Sequence, residues 1–183
     1  MDNGASSYRR FLDGEENAFD DILIEYRDSL TFFINRYVRD ISVAEDIAID
    51  CFMELIVHRH RYNFKTTLKT YLFMLGRSRA IDYIRHRSIL KTVELSDAES
   101  ELTDLSELED IVLAGERARV INEALEKLDE NMSVAIHLVY LEGMSYEEAA
   151  RVMKKSKKQV DNLLYRAKTQ LRSLIGKEGE LLL

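Results

Sequence analysis

Apolar residues recur at three- and four-residue spacings along most of this chain, the period that gives a helix one buried face. After a turn at Asp13-Gly14, Ala18, Phe19, Ile22, Leu23 and Tyr26 keep that spacing. Leu30, Phe33, Ile34, Tyr37 and Val38 carry it on, in a second helix or a continuation of the first. Ser42 with Glu45 has the form of a capping box and predicts a helix from Val43 to about His60. Its apolar stripe is Ala44, Ile47, Ala48, Cys51, Phe52, Leu55 and Ile56. A loop over about Tyr62 to Thr67 leads into a helix from Leu68 to roughly Arg87, with Tyr71, Leu72, Leu75, Ile81 and Ile84 as the expected buried face.

The most sharply marked stretch runs from Ser145 to Leu174. Ser145 with Glu148 and Ser156 with Gln159 are two capping boxes in quick succession. They predict a helix of about two turns, a short turn and a longer helix, which is helix-turn-helix geometry. Ala149, Val152 and Met153 share a face of the short helix. Val160, Leu163, Leu164, Ala167, Leu171 and Leu174 share a face of the long one, opposite Lys157, Lys158, Asp161, Asn162, Tyr165, Arg166 and Lys168.

Composition narrows the fold class. The chain has 183 residues, no proline or tryptophan and only seven glycines, so nothing breaks the helical periods. An all-α protein is expected, with two small helical domains. The single Cys51 rules out an internal disulfide and suits a reducing cytosol. Met1 to Arg10 holds no apolar signal core, and nowhere do eighteen apolar residues run together, so a cytoplasmic protein without membrane insertion is expected.

The net charge of −7 argues against a nucleic-acid partner until its distribution is examined. Between Arg151 and Arg172 eight bases face the single acid Asp161. A solvated helical hairpin normally mixes its charges, so a major-groove reader fits better. From Arg59 to Lys91 nine bases face the single acid Asp82, interleaved with Tyr62, Phe64, Tyr71, Phe73 and Tyr83. Bases supply phosphate contacts, and aromatic rings near the loop, Tyr62 and Phe64 first, offer platforms for unpaired bases. Residues 91–118 hold nine acids against Lys91 and Arg117 and read as an acidic linker between residues 8–90 and 119–176. Asp46, Asp50 and Glu54, four apart, form an acidic ridge that is either a docking strip for a basic partner or an ordinary solvated face.

Taken in order, these stretches resemble the extracytoplasmic-function (ECF) class of bacterial sigma factors over about residues 8–176. Leu12 to Phe19 is similar to the family's opening helix, and Ala44 to Phe52 to its polymerase-binding helix. Leu68 to Leu72 with Arg77 to Arg85 resembles the segment that melts and reads the −10 element. Leu141 to Ala150 with Val160 to Leu171 resembles the −35-reading helix-turn-helix. The resemblance implies region 2 over 8–90 and region 4 over 119–176. It places Asp46, Asp50, Phe52 and Glu54 against core RNA polymerase. Tyr62, Phe64, Lys65, Lys69, Arg77, Arg79 and Arg85 would contact single-stranded −10 DNA, and Lys157, Lys158, Asp161, Asn162, Tyr165, Arg166 and Lys168 duplex −35 DNA. It implies no cofactor and leaves room for an anti-sigma factor. The chain departs from the family's usual pattern at several positions, among them Ile49 in place of Gln and Lys154 in place of Gly. If the turn at Lys154 needs positive φ, its β-carbon costs about 1 kcal/mol.

An enzyme is not indicated. His58, His60, His86 and His137 lack metal-ligand spacing, no metal site is expected, and no glycine-rich phosphate loop or nucleophile elbow is present. The serious alternative is a helix-turn-helix transcriptional regulator that binds duplex DNA without being a polymerase subunit. It leaves the basic, aromatic block at 59–91 without a role.

Overall fold

The computed structural model describes residues 4–93, 124–125 and 127–175, with the backbone alone at 90–93 and 175. Seven α-helices and one π-helical segment account for the regular structure among the described residues, and none of it is strand. The chain divides into two compact units near residues 98 and 99. The acidic linker expected at 91–118 and the Leu181-Leu182-Leu183 tail lie almost wholly outside the described residues.

The first unit contains α1 (Ala5–Leu12), α2 (Ala18–Val38), α3 (Ile41–Val57) and α4 (Leu68–Val93). The apolar period from Ala18 to Val38 belongs to one continuous helix, and this helix packs against each of the other three. Phe33 meets Phe73 of α4 at 4.8 Å between ring centroids, and Phe19 meets Phe11 of α1 at 5.0 Å. Gly76 lets α4 approach closely, since a β-carbon there would stand 3.0 Å from Leu30 Cδ1 and 3.2 Å from Ile34 Cδ1. Cys51 is fully buried in this core, and burial pushes its thiol up to about 12.

Three sequence expectations need correction here. Helix α3 opens at Ile41, because Asp40 is the cap and its Oδ1 accepts from the Val43 amide at 3.2 Å; Ser42 lies inside the first turn. Its C-terminal end comes at Val57, not His60. Helix α4 is capped by Thr67, whose Oγ1 accepts from the Thr70 amide at 3.1 Å, and it continues to Val93. The buried face of α4 is Leu68, Thr70, Leu72, Phe73, Gly76 and Ala80; of the expected set only Leu72 is fully buried, and Ile84 is exposed. The pattern misled because α4 carries apolar residues all around its axis.

The second unit contains α5 (Glu130–Ile136), a π-helical segment at His137–Leu141, α6 (Tyr146–Met153) and α7 (Lys157–Ile175). Asp129 caps α5 by accepting from the Asn131 amide at 3.0 Å. The wide turn closes with the Glu142 amide donating to the His137 carbonyl at 3.0 Å, which brings Glu142 Oε1 within 3.3 Å of His137 Nε2 in the interior. Helix α5 packs on α7, with Met132, Val134, Ala135, Val160, Leu164, Ala167 and Leu171 buried.

Candidate nucleic-acid interface

Both expected capping boxes are complete. The Ser145 amide donates to Glu148 Oε2 at 2.9 Å, and the Glu148 amide donates to Ser145 Oγ at 3.2 Å. The Ser156 amide donates to Gln159 Oε1 at 2.8 Å, and the Gln159 amide to Ser156 Oγ at 3.2 Å. These reciprocal bonds fix the starts of α6 and α7 with residues three apart. Between the helices the turn passes through Lys154 at φ 53°, the left-handed region, so the strain anticipated for its β-carbon is present.

The exposed face of α7 gathers nearly the whole predicted set. Lys157, Lys158, Asp161, Asn162 and Tyr165 are exposed and Lys168 is half-buried; at about 100° per residue these six share an arc of about 140°. Arg166 is exposed at the edge of that arc, and Tyr165 is 74% exposed. Two of the bases already have protein partners. Lys157 is paired with Glu147 of α6, which raises its ammonium above the ordinary value, and Lys168 Nζ lies 4.7 Å from the Tyr140 ring centroid. Neither Glu147 nor Tyr140 was singled out by the sequence, because each acts through a base on another helix.

The first unit differs. Tyr62, expected as a stacking platform, is only 3% exposed; its hydroxyl donates to the Thr66 carbonyl at 2.7 Å, and its ring packs against Tyr8, Phe64 and Tyr71. Burial removes its faces from any base. Phe64 is half-buried at φ 60°, with the Arg9 guanidinium carbon 4.8 Å from its ring centroid. Lys65 is exposed and Lys69 half-buried, its Nζ 5.8 Å from the Phe73 ring centroid. Arg77 is half-buried, and Arg85 is exposed at 3.8 Å from Asp82. Arg79 is committed inward: Nη2 lies 3.2 Å from Glu54 Oε2 and Nη1 3.6 Å from Asp50 Oδ2. Arg77 and Arg79 point about 200° apart around α4, so the bases do not form one face.

The acidic ridge on α3 is likewise split. Asp46 and Asp50 are exposed, but the Glu54 side chain is only 12% exposed and binds both Arg61 and Arg79. Phe52 is buried against Phe19 and presents nothing outward, which corrects its expected place at a partner surface. What stands beside Asp46 and Asp50 is a row of which the sequence reading marked only Ile49: Ile49, Met53 and Val57, each about half exposed or more. Their four-residue spacing was a usable signal, but it was masked by the stronger stripe on the opposite face.

Two family models match the chain one after the other. The model described as Sigma-70 region 2 matches residues 23–89, and that described as Sigma-70, region 4 matches residues 118–171. The chain belongs to the sigma-70 family. Within it, the chain is similar to the ECF RNA polymerase sigma factor SigM of Bacillus subtilis, 27% identical over 86% of this chain and 95% of the relative. The RNA polymerase sigma factor CarQ of Myxococcus xanthus is 28% identical over 91% and 94%, and the ECF RNA polymerase sigma-E factor of Escherichia coli 25% over 87% of each. These relatives place the sigma factor in the ECF class. Its fold is shared with the sigma factor RpoE solved with the anti-sigma factor NepR from Bartonella quintana: TM-score 0.65, 20% identity, 88% of this chain and 98% of that one. The fold is shared too with CnrH solved with the cytosolic domain of CnrY, at TM-score 0.62 and 20% identity over 94% of each chain. None of the helices in the described residues is long and apolar enough to cross a membrane.

Proposed function

We propose that this sigma factor reads promoters with two separate surfaces and docks on core RNA polymerase with a third. It directs transcription initiation as a specificity subunit, acts in the cytoplasm and performs no catalysis itself. Region 2 spans about 8–90, region 4 about 119–176, and the acidic stretch at 91–118 tethers them. The observation that carries the reading is the α7 face, six polar or charged side chains and Tyr165 aligned behind two complete capping boxes. Asp161 accepts from cytosine N4 and Asn162 pairs with an adenine edge in the −35 major groove, while Lys158, Arg166 and Lys168 bind phosphates.

On region 2, the polymerase surface is the exposed face of α3, Asp46, Ile49, Asp50, Met53 and Val57. An apolar row flanked by carboxylates suits a partner that offers apolar side chains within a basic rim. The −10 strand meets the loop at 58–67 and the start of α4, with Lys65, Lys69 and Arg77 toward phosphates. Asn63 is exposed, and its Oδ1 accepts from the Lys65 amide at 3.1 Å, which leaves the amide NH₂ to donate to a base. An anti-sigma factor covers these faces when the protein is held inactive; the RpoE and CnrH structures, each solved with a partner, support that part of the reading.

The test is run-off transcription with sigma-free core polymerase on a pool of genomic fragments. Discrete transcripts that require this protein are expected, and they reveal the −35 and −10 elements together. Sequence-specific duplex binding without any transcript would overturn the reading in favour of a regulator. On a recovered promoter, Asn162→Ala is expected to cost about 1–3 kcal/mol at one −35 position only.

A further inference from the structure

Helix α1 grips the loop between α3 and α4 with three of its residues. Tyr8 is fully buried, and its hydroxyl stands 2.9 Å from the Leu55 carbonyl and 2.9 Å from the Arg59 carbonyl. Leu55 lies in the last turn of α3, where carbonyls have no partner inside the helix, so Tyr8 caps that helix from 47 residues away. Arg59 is the second residue after the helix, so the same hydroxyl fixes the direction in which the loop departs. The Tyr8 ring sets its edge against Tyr62 at 5.5 Å. Phe11 lies under the Arg59 guanidinium at 4.4 Å, and Arg9 covers Phe64 at 4.8 Å. Burial pushes the Tyr8 hydroxyl up to about 12, so it remains a donor at working pH.

We infer that α1 is a splint for the −10 loop and that Tyr8 is a positioning residue for promoter opening, an inference that rests on the loop's assignment to −10 DNA. A loop fixed before DNA arrives spends less binding energy on its own ordering. The hydroxyl serves that purpose because the ring alone fills the core, whereas only the O–H reaches the two carbonyls. Tyr8 touches no DNA in this scheme; it sets where Asn63, Phe64 and Lys65 stand.

The experiment compares Tyr8→Phe with wild type in full-length holoenzyme on a promoter recovered by run-off. Core-polymerase affinity, duplex −35 binding and the thermal midpoint of the free protein are measured alongside. At saturating holoenzyme the rate of open-complex formation is expected to fall about fivefold, the scale of one lost intramolecular hydrogen bond, while the half-saturating concentration, polymerase affinity and −35 binding stay unchanged. Phe11→Leu keeps an apolar though smaller side chain, removes the ring beneath Arg59 and slows opening in the same sense by a smaller factor. Equal loss of polymerase affinity, −35 binding and opening in Tyr8→Phe would assign the hydroxyl to general stability and overturn the inference. Wild-type opening by Tyr8→Phe, while Asn63→Ala or Lys65→Ala is slow, overturns it and leaves the loop's DNA role standing. Wild-type opening by all of these variants removes the loop's assignment and the inference together.

Discussion

On α7 most of the bases stand in solvent, whereas between Arg59 and Arg87 several are occupied by the protein itself. Both stretches look alike in their charge, many bases against one acid, with Tyr165 in the one and five aromatics in the other. The caps of α6 and α7 are local, each spanning three residues, and the Glu147–Lys157 pair spans ten. In region 2 Arg61 reaches Glu54 across seven residues, and other partners are more distant. Arg79 binds Glu54 across 25 residues, and Arg59 stacks on Phe11. A cluster of bases therefore reports a nucleic-acid surface only when nothing elsewhere in the fold claims it. The acids that claim Arg61 and Arg79 sit on the very ridge that looked like a free docking strip.

The sharpest way to break this comparison is Glu54→Ala. Its carboxylate is mostly buried between Arg61 and the half-buried Arg79, so its loss strands Arg79 beside the more distant Asp50. Arg61 is largely exposed and contributes little, so the expected cost is about 2 kcal/mol, less than for a fully buried pair. Denaturant unfolding of the full chain measures it, with Arg79→Ala and the double variant completing a cycle. Coupling of at least about 1 kcal/mol is expected between Glu54 and Arg79. Lys158→Ala on the recognition face should by contrast leave stability within about 0.5 kcal/mol. Equal, small effects at both places would mean that the region 2 bases are as free as those of region 4.

This contrast also explains what was legible beforehand. The all-helical fold, the continuous period of α2, the two boxes at Ser145 and Ser156 and the solvent face of α7 follow from spacings of three and four, which sequence displays directly. The cap of α3 was misplaced because Asp40 and Ser42 are both good caps, and only the backbone shows which of them accepts from an amide. Helix α1 was not singled out as an element, and its grip on the 58–67 loop depends on contacts about fifty residues apart. Tyr62 and Phe64 were natural stacking candidates by composition, but Tyr62 is needed in the aromatic cluster around Tyr8. Met53 and Val57, which extend Ile49 into an exposed row, were hidden by the longer buried stripe of α3, although much protein surface is apolar.

A smaller effect tests the region 4 side, where local geometry is supposed to govern. Lys154 is exposed and sits at φ 53°, so replacing it with glycine changes little besides the backbone. The left-handed conformation costs a residue with a β-carbon about 1–2 kcal/mol. Glycine returns about 0.5–1 kcal/mol of that through its greater freedom in the unfolded chain. Lys154→Gly is therefore expected to stabilise region 4 by about 0.5–1 kcal/mol, read as a later unfolding transition. A charge-matched control, Lys155→Gly at the neighbouring position without positive φ, should destabilise. Destabilisation by Lys154→Gly would show that the turn is not held in the left-handed region.

The subtlest effect concerns Lys157, a recognition-face base already partnered by a carboxylate. Glu147 and Lys157 are both more than half exposed, so Glu147→Gln should leave stability nearly unchanged. Its consequence appears in DNA binding. With Glu147 neutralised, Lys157 loses the partner that raises its pKa but remains charged at neutral pH, because its ordinary value is already 10.5. The released ammonium becomes available to a phosphate, and the salt dependence of −35 binding should steepen by up to about 0.9 in log–log slope. Affinity rises at low salt and the gain fades at high salt, as screening demands. Removing the second partner, in Glu147→Gln with Lys157→Ala, should cancel the steeper slope. If the single variant steepens nothing, Lys157 is turned away from the duplex and the recognition arc begins at Lys158. The comparison between the two surfaces would then weaken, since region 4 too would hold a base that serves only its own fold.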